Sequence, residues 1–169
     1  MASLGGSTKA LGSSADMLGE MAIVRAQPVD VPELVLICAE HAAFERLPHA
    51  LDARQDRLRD ALEGSPPRLY AWLARIGSDL VGYASATRDF STLERAPYLH
   101  MDCLYVREAW RNRAIGRRLW ERVCHHAMEL GCGMVQWQTP SWNEDAARFY
   151  RRLGASESVK LRYVWPVIG

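Results

Sequence analysis

The sequence predicts one domain of the α/β (α+β) class, and two observations support that prediction. The chain has 169 residues, of which 49% are hydrophobic and 24% charged, as is typical of a single globular domain. Strand-like and helix-like spacings of apolar residues follow one another in the order strand, two helices, three strands, helix, strand, helix, strand. Because neither a repeat nor a linker follows Met21, we place the domain at residues 21–169.

The first strand follows a segment rich in Gly and Ser. Residues 1–20 bury too little apolar surface to offset the entropy lost on ordering, so we interpret them as a flexible or artificially added lead. The run MAIVRA, which starts at Met21, is typical of a strand, and Pro28 ends it. Asp30 is suited to cap the helix that comes next.

Two helices are predicted after this strand. Apolar residues recur at helical spacing from Val31 to about Phe44, and a second helical pattern ends at Gly64. Pro66 and Pro67 then exclude further helix. The residues that carry the two patterns are Leu34, Ile37, Cys38 and Ala42 in the first helix, and Leu51, Leu58 and Leu62 in the second.

Three strands occupy the middle of the chain. The runs LYAWLARI and LVGYASATR are joined by Gly77, Ser78 and Asp79, a pattern typical of an antiparallel hairpin. A polar loop at residues 91–97 leads to the run YLHMDCLYV, which predicts the third strand from Tyr98.

A long helix and a short strand follow. The helix is predicted from about Ile115 to Leu130, closed by Gly131, and the run MVQWQ predicts a strand that ends before Pro140. The apolar stripe of the helix consists of Ile115, Leu119, Val123 and Ala127.

The last elements are one helix and one strand. The helix runs from Glu144 to Leu153, with an acidic first turn and Gly154 at its end. The terminal run VKLRYVWPV predicts a final strand.

Charge and cysteine content exclude several classes of protein. With 21 Lys and Arg against 20 Asp and Glu, the net charge of +1 gives no general attraction to nucleic acid or to an anionic membrane. No apolar run reaches the roughly 18 residues of a membrane span, and the start lacks the order of a signal peptide. The four cysteines lack zinc-site spacings and the length requires no disulfide framework, so we expect a reducing, cytoplasmic setting. No metal site is predicted, since the neighbours His125 and His126 point in different directions on a helix.

A turn between a strand and a helix is the first candidate site. The strand at residues 98–106 leads through WRNRAIG into the long helix, an arrangement that aims backbone N–H groups at an anion. Residues 107–122 hold six Arg against Glu108 and Glu121, which favours a phosphate ligand. An Arg-rich helix start is also typical of a solvated surface, so both interpretations stay open here. A nucleic-acid partner is not predicted, because no nucleic-acid motif accompanies the cluster.

Two stretches of this sequence resemble a known superfamily. Residues 111–116, RNRAIG, resemble the acyl-CoA-binding motif of the GNAT N-acetyltransferases, which reads Arg or Gln, two residues, Gly, one residue, then Gly or Ala. Residues 142–155, WNEDAARFYRRLGA, are similar to the last conserved helix of that superfamily, especially in its diamine (spermidine/spermine) acetyltransferase branch. The resemblance implies a central mixed, mostly antiparallel sheet of about six to seven strands flanked by four helices. It also implies acetyl-CoA as co-substrate.

The resemblance further implies which residues bind the cofactor. The backbone of Leu104, Tyr105 and Val106 would lie along the pantetheine arm, where side-chain identity matters little and one N–H group stabilises the thioester oxygen. Asn143 and Tyr150 would contact the arm and the sulfur. The phosphates would be bound by the turn, which consists of Arg111, Asn112, Arg113, Ala114, Ile115, Gly116 and Arg117.

Ala114 departs from the motif, in which Gly is usual at this position. A Cβ disfavours a left-handed backbone by about 1 kcal/mol or more. We therefore predict a right-handed turn at Ala114 that still binds the cofactor.

Two strand residues are candidates for the general base. In diamine acetyltransferases the base glutamate lies four residues before the valine that ends the strand, and counting back from Val106 gives Asp102. Strand alternation places His100, Asp102 and Leu104 on one face, so His100 is a second candidate, because imidazole is a stronger base than a carboxylate. Asp is one methylene shorter than Glu, so a bridging water is expected. Both residues are also compatible with an ordinary strand end.

Tyr150 matches the tyrosine that lies beside the cofactor sulfur in this superfamily, which implies that it protonates the departing thiolate. The alternative is a core aromatic, because Tyr150 falls on the apolar stripe of its helix. Asn143 is equally suited to cap that helix, and so is Ser141 with Glu144 three residues later.

The acceptor is predicted to be a small, cationic primary amine that attacks acetyl-CoA directly. In the superfamily the two helices after the first strand form one wall of the acceptor site. Here residues 30–63 carry eight acidic residues and four Arg, an excess that attracts a cation, although two ordinary amphipathic helices explain it as well. Peptide or protein amines, and an acyl-CoA-binding domain without turnover, remain alternatives. A homodimer is expected by analogy with related enzymes.

Overall fold

The computed structural model describes residues 20–47 and 55–167. These residues fall into two compact units, one that ends at Trp137 and one that begins at Gln138. The first unit contains β1 (Met21–Arg25), α1 (Val31–Phe44), α2 (Gln55–Glu63), β2 (Tyr70–Ile76), β3 (Asp79–Ser91), β4 (Ala96–Val106), α3 (Ile115–Glu129) and β5 (Val135–Gln136). The second unit contains α4 (Glu144–Arg152).

The sheet of the first unit has the strand order β1-β2-β3-β4-β5. The first four strands pair antiparallel, and β5 pairs parallel to β4, so the predicted mixed and mostly antiparallel sheet is confirmed. It has five strands among the described residues, fewer than the predicted six to seven.

The predicted terminal strand accounts for the lower strand count. Its described part, residues 159–167, contains no strand, and its apolar side chains are exposed, from 77% at Leu161 to 98% at Val159. A period-two apolar pattern becomes a strand only where a neighbouring strand pairs with its backbone, and no described strand does so here.

Helices cover both faces of the sheet. On one face α1 and α2 pack with β2 and β3 around Leu34, Ile37, Leu73 and Tyr83, which are all buried. On the other face lies α3, whose predicted stripe of Ile115, Leu119, Val123 and Ala127 is buried. The apolar periodicity therefore identified the packing faces of the long helices correctly.

The helix limits agree closely with the sequence patterns. The first helix spans Val31–Phe44 as predicted, while α3 and α4 each end one residue earlier than predicted. The predicted position of Leu51 lies outside the described residues. Gly131 and Gly154 end α3 and α4 with φ of +67° and +87°, a conformation that glycine adopts without a Cβ penalty.

A β-bulge interrupts β4 at Asp102. The neighbours Ser85 and Ala86 of β3 lie opposite Cys103 and Met101, which leaves Asp102 as an additional residue between the two pairs. Facing pairs share a side of the sheet, so Leu104, opposite Ala84, lies on the α3 side. The prediction that Leu104 shares a face with His100 and Asp102 was therefore wrong, because the bulge shifts the alternation.

Among the described residues, no helix has both the length and the apolar character that crossing a bilayer requires.

Candidate active site

The strand β4 separates from β5 halfway along its length. The two strands pair only at Leu99 with Val135 and at His100 with Gln136, and β4 continues for six residues to Val106. Within the described part of the chain, the far half of β4 thus has a partner strand only on its β3 side. Its other side presents backbone N–H and C=O groups that an extended ligand can pair with.

Asp102 lies at the start of this unpartnered half. Its side chain is exposed, and the thiol of Cys103 donates a hydrogen bond to its Oδ2 over 3.5 Å. Burial raises the pKa of Cys38, and the negative charge of Asp102 raises it further. Burial lowers the pKa of His41, and the charge of Asp102 acts against that lowering. Cys103 packs against the core between the sheet and α1, so the hydrogen bond from its thiol places the Asp102 carboxylate on the α1 side of the sheet.

His41 lies on α1 near Asp102, at the centre of a surface that also includes Phe44 and Tyr105 and that we call the α1 surface. The sequence analysis did not identify His41. Its side chain is buried, Nδ1 lies 3.0 Å from the Tyr83 hydroxyl, and Nε2 lies 3.4 Å from Oε1 of Glu45. Burial lowers the pKa of His41, so it is neutral at physiological pH. The available signal was its spacing from Leu34 and Ile37, which places it on the buried face of α1.

The side chain of Tyr105 belongs to the same surface. Its ring stacks on His41 with a centroid distance of 4.9 Å and an interplanar angle of 21°, and it lies 6.1 Å from the ring of Phe44. The expectation that side-chain identity matters little for cofactor binding at this position stays a prediction. The backbone of Tyr105 belongs to the free half of β4, while its ring joins that strand to α1.

Arg111, the first residue of the acyl-CoA motif, points back towards α1 and β4. Its Nε donates to the carbonyl oxygen of Val106 over 3.0 Å, and its guanidinium lies 4.7 Å from the ring centre of Phe44. It is also 5.9 Å from the ring centre of Tyr105. Arg111 thus connects the end of β4 to the aromatic surface of α1, with a cation–π contact that adds about 0.5–1 kcal/mol at an exposed site.

The turn between β4 and α3 has two left-handed residues. Asn112 has φ +61°, and Ala114, the residue before the first turn of α3, has φ +59° and ψ +5°. The prediction of a right-handed turn at Ala114 was wrong. Burial of the adjacent Ile115, which is 2% exposed, stabilises by about 1.5–3 kcal/mol, more than the roughly 1 kcal/mol that a left-handed alanine costs.

Much of the positive charge around this turn is already neutralised. Arg107 binds Glu40 of α1 at 2.7 Å and also donates to the Leu80 carbonyl, and Arg117 pairs with Glu121 at 2.9 Å. A further pair joins Arg122 to Glu129 at 3.4 Å.

The cations left for an anionic ligand are fewer than the sequence indicated. The guanidinium of Arg113 lies 5.0 Å from the ring centre of Trp110, and Arg118 has no carboxylate partner among residues 20–47 and 55–167. The first-turn amides of α3, at Ile115, Gly116 and Arg117, lack intrahelical partners by helix geometry. The side chain of Ile115 is buried, so this residue offers a ligand only its backbone.

The acidic excess of residues 30–63 is also reduced by ion pairs. Asp30 and Glu33 both bind Arg75, Glu40 binds Arg107, and Glu45 lies against His41. The argument that this excess attracts a cationic amine is correspondingly weaker, whereas Asp102 is an exposed carboxylate with no ion-pair partner in the described part of the chain.

In the second unit, Asn143 caps α4. Its Oδ1 accepts a hydrogen bond from the Ala146 N–H over 3.1 Å, so Asn143 fills the role that Ser141 and Glu144 were also suited to. Tyr150 is half-buried on the same helix, with its ring centre 5.1 Å from that of Phe149 in an edge-to-face contact.

No cluster of three or more metal-ligating side chains occurs in the described part of the chain. The residues present fit an acyl-CoA instead: a strand with one free backbone edge leads into a helix N-terminus beside Arg113 and Arg118. A pantetheine arm carries amides that pair with such an edge, and pyrophosphate suits such a terminus.

The fold is that of an N-acetyltransferase that uses acyl-CoA. The family model described as acetyltransferase (GNAT) family matches residues 35–155, more than half of the chain, and the chain belongs to that family.

Several characterised proteins are similar to this chain. Thialysine N-epsilon-acetyltransferase from Caenorhabditis elegans is 27% identical over 128 residues, which cover 76% of this chain and 78% of that protein. L-ornithine N5-acetyltransferase NATA1 from Arabidopsis thaliana is 24% identical over 178 residues and covers 77% of each chain. Among solved structures, aminoglycoside N-acetyltransferase AAC(6')-Iy in complex with CoA matches with a TM-score of 0.75 at 17% identity, over 87% of this chain and 95% of that one. This last likeness concerns the fold alone.

Proposed function

We propose that this protein transfers an acetyl group from acetyl-CoA to a primary amine of a small, cationic acceptor. The observation that carries the proposal is the position of Asp102, an exposed carboxylate at the bulge where β4 leaves β5 and beside the α1 surface. Relatives named for thialysine and ornithine acetylation support a small amine as acceptor.

Asp102 acts as the general base in this proposal. An alkylammonium with a pKa near 10 must lose a proton before it attacks, which costs about 4 kcal/mol at pH 7. A carboxylate near the acceptor binds the ammonium and accepts that proton, directly or through a water. We favour Asp102 over His100 because His100 lies in the half of β4 that is paired on both sides.

The free half of β4 and the turn after it hold the donor. Acetyl-CoA supplies an activated thioester; the backbone of Leu104, Tyr105 and Val106 orients its arm, and one N–H group stabilises the oxyanion. The phosphates meet the turn at residues 112–117, with Arg113 as a free cation. Arg111 supports this turn through its bond to the Val106 carbonyl.

Tyr150 donates a proton to the departing thiolate. Over the whole reaction the acceptor ammonium loses two protons, of which one ends on the CoA sulfur and the other in solvent through Asp102. The side-chain oxygen of Asn143 accepts the helix-cap hydrogen bond, and in this proposal its NH₂ group donates to the pantetheine arm.

An acceptor panel with acetyl-CoA tests this function. Released CoA is measured with a chromogenic disulfide reagent for diamines, basic amino acids, aminoglycosides and lysine peptides, with an acceptor-free control that corrects for the four protein thiols. We expect turnover with small cationic amines. Turnover with peptides alone would establish a peptide acetyltransferase instead. Calorimetric binding of acetyl-CoA without CoA release would establish a non-catalytic acyl-CoA-binding domain, and no binding at millimolar cofactor would overturn the proposal.

We also propose a reducing, cytoplasmic setting and a homodimer. The four cysteines are all unpaired thiols, which is consistent with a reducing compartment. Light scattering coupled to size-exclusion chromatography measures the assembly, and a mass of one chain at micromolar concentration would contradict the dimer.

A further inference from the structure

A positive charge lies on the same side of β4 as the negative charge of Asp102, and the proposed mechanism does not use it for the acceptor. The guanidinium of Arg111 lies 4.7 Å from the ring centre of Phe44 and 5.9 Å from that of Tyr105. Both rings are on the α1 side of the sheet, because Phe44 belongs to α1 and Tyr105 stacks on His41 of that helix. The Asp102 carboxylate lies on this side too.

The guanidinium of Arg111 is anchored but has no carboxylate partner in the described part of the chain. Its Nε donates to the Val106 carbonyl over 3.0 Å, which fixes the side chain at the end of β4. Arg107, at the start of the same turn, shows what is missing, because it binds both oxygens of Glu40, at 2.8 and 2.7 Å. A planar guanidinium matches a carboxylate in this two-point way. The two terminal nitrogens of Arg111 are thus suited to bind the carboxylate of a ligand.

The separation of the two charges indicates the length of that ligand. Arg111 is anchored at Val106, and the four residues from Asp102 to Val106 extend over about 13 Å of strand. An extended lysine measures roughly 7–8 Å from its carboxylate carbon to its side-chain nitrogen. The Asp102 side chain and the ion-pair contact at each end account for the remaining length. The α-amine of an amino acid is bonded to the carbon next to its carboxylate, so it cannot reach Asp102 while that carboxylate is at Arg111.

We propose that Arg111 binds the carboxylate of the acceptor, and that the acceptor is a basic amino acid acetylated on its side-chain amine. This inference rests on the proposed function, in which Asp102 receives the amine and acetyl-CoA is the donor. Nε of Arg111 keeps its bond to the Val106 carbonyl, and the terminal nitrogens bind the carboxylate. The reaction is otherwise the one proposed above: the side-chain nitrogen bonds to the acetyl carbon, the C–S bond breaks, and the CoA sulfur takes up a proton.

The same cation selects against a diamine. The second ammonium of a diamine lies where an amino acid has its carboxylate, so it faces Arg111 with a like charge. The ring of Phe44, which could stabilise that ammonium, is already covered by the Arg111 guanidinium. The α-ammonium of an amino acid is compensated by its own carboxylate. Selectivity therefore has an attractive part and a repulsive part.

Acceptors that differ only in the carboxylate test this inference on the unmodified chain. Cadaverine is lysine without the carboxylate, putrescine is ornithine without it, and lysinamide keeps the size of lysine but not the charge. We expect kcat/KM to be about 10-fold higher or more for the amino acid of each pair, and lysinamide to resemble cadaverine. Mass spectrometry of the fragmented product should place the acetyl group on the side-chain amine.

The outcomes separate this inference from the proposed function. A kcat/KM for cadaverine equal to or above that for lysine would overturn the inference and leave acetyl transfer to a small amine intact. Acetylation of the α-amine of lysine would overturn it as well. Absence of CoA release with every acceptor would overturn the proposed function, and this inference with it.

Two arginines of the same turn provide matched variants. Arg111→Gln keeps a residue that the acyl-CoA motif accepts, and the ratio of kcat/KM for lysine to that for cadaverine should fall about 10-fold. Arg111→Lys retains the charge and should keep part of the ratio. In the control Arg113→Gln, the KM for acetyl-CoA should rise while the ratio stays within about 2-fold. Thermal unfolding confirms that each variant is folded. An unchanged ratio in a folded Arg111→Gln protein would overturn the inference.

Discussion

The first half of β4, residues 96–101, pairs with β3 on one side, and on the other side it pairs with β5 at Leu99 and His100. The second half, residues 102–106, pairs only with β3 among the described strands. The two halves are similar in composition and share one partner strand. They differ because β5 has only two residues, Val135–Gln136, and pairs with β4 no further than His100. The first half completes the sheet, and the second half is available to a ligand.

The same difference appears in the side chains. Leu99 and Met101 of the first half are buried in the core, at 0% and 2% exposure. In the second half Tyr105 joins α1 through ring contacts, and Asp102 is exposed. A single strand thus belongs to the core at one end and carries the proposed site at the other, and the substitutions below test that division.

The largest effect is expected from Asp102→Asn, with His100→Gln as its control in the other half of the strand. Loss of the general base should lower kcat/KM for the amine about 100-fold or more, while His100→Gln should stay within about 3-fold. The measurement is CoA release across pH. Wild-type kcat/KM at every pH in Asp102→Asn would exclude this residue as the base, and a larger loss in His100→Gln would reverse the assignment of the two halves.

A second, smaller loss is expected from Tyr150→Phe, because the proposed acid only assists departure of the thiolate, a far weaker base than an amine. Removal of the hydroxyl should lower kcat about 10-fold and leave the affinity for acetyl-CoA nearly unchanged. Phe149→Leu, in the neighbouring ring of the same helix, controls for packing. If kcat stays at the wild-type value in Tyr150→Phe, the proton comes from another source.

Left-handed residues precede and follow β4, and they allow a third comparison. Arg95, with φ +54°, lies before the first half, and Ala114, with φ +59°, lies after the second. Replacement of either by Gly should stabilise the protein by about 1 kcal/mol, measured by urea unfolding. Only Ala114→Gly should also tighten acetyl-CoA binding in calorimetry, because its turn belongs to the proposed donor site. A similar change in affinity in Arg95→Gly would remove that distinction.

The smallest effect concerns the pH dependence of stability. Burial lowers the pKa of His41, which stacks on the second half of β4, and of His126, which lies on α3. The folded protein therefore binds fewer protons than the unfolded chain, so the stability from neutral histidines is present above pH 6.5, the unfolded pKa, and is lost as the pH falls below it.

Unfolding in urea at pH of about 7.5 and about 5.5 measures this loss. In His41→Asn the loss should be smaller than in the wild type, and His126→Asn should reduce it separately. An identical loss in His41→Asn and in the wild type would show that protonation of His41 does not contribute.

Patterns within one element predicted the fold well. The stripe of α3 is buried as expected, and α1 has its predicted limits, because apolar burial on one helix face is encoded locally. The pairing of the hairpin formed by β2 and β3 follows equally from its short polar turn.

Features that depend on a neighbouring element were not predictable in this way. The bulge at Asp102 depends on the register of β3, and the left-handed Ala114 on the burial of the next residue in the core. The apolar run at residues 159–167 lacks the partner strand that its pattern requires. The choice of Asp102 as a candidate came from the family resemblance, whereas the effect of its charge on Cys38 and His41 depends on the packing of α1.

The contact between Arg111 and Phe44 makes the residue types at positions 111 and 44 depend on each other. The GNAT motif accepts Arg or Gln at this position, but only Arg both donates to the Val106 carbonyl and places a cation over the ring of Phe44. A chain with Gln at position 111 has no such cation. In that chain an aromatic ring at position 44 is not required. We therefore expect these two positions to change together among relatives, so that the cofactor turn and the end of α1 evolve as one unit.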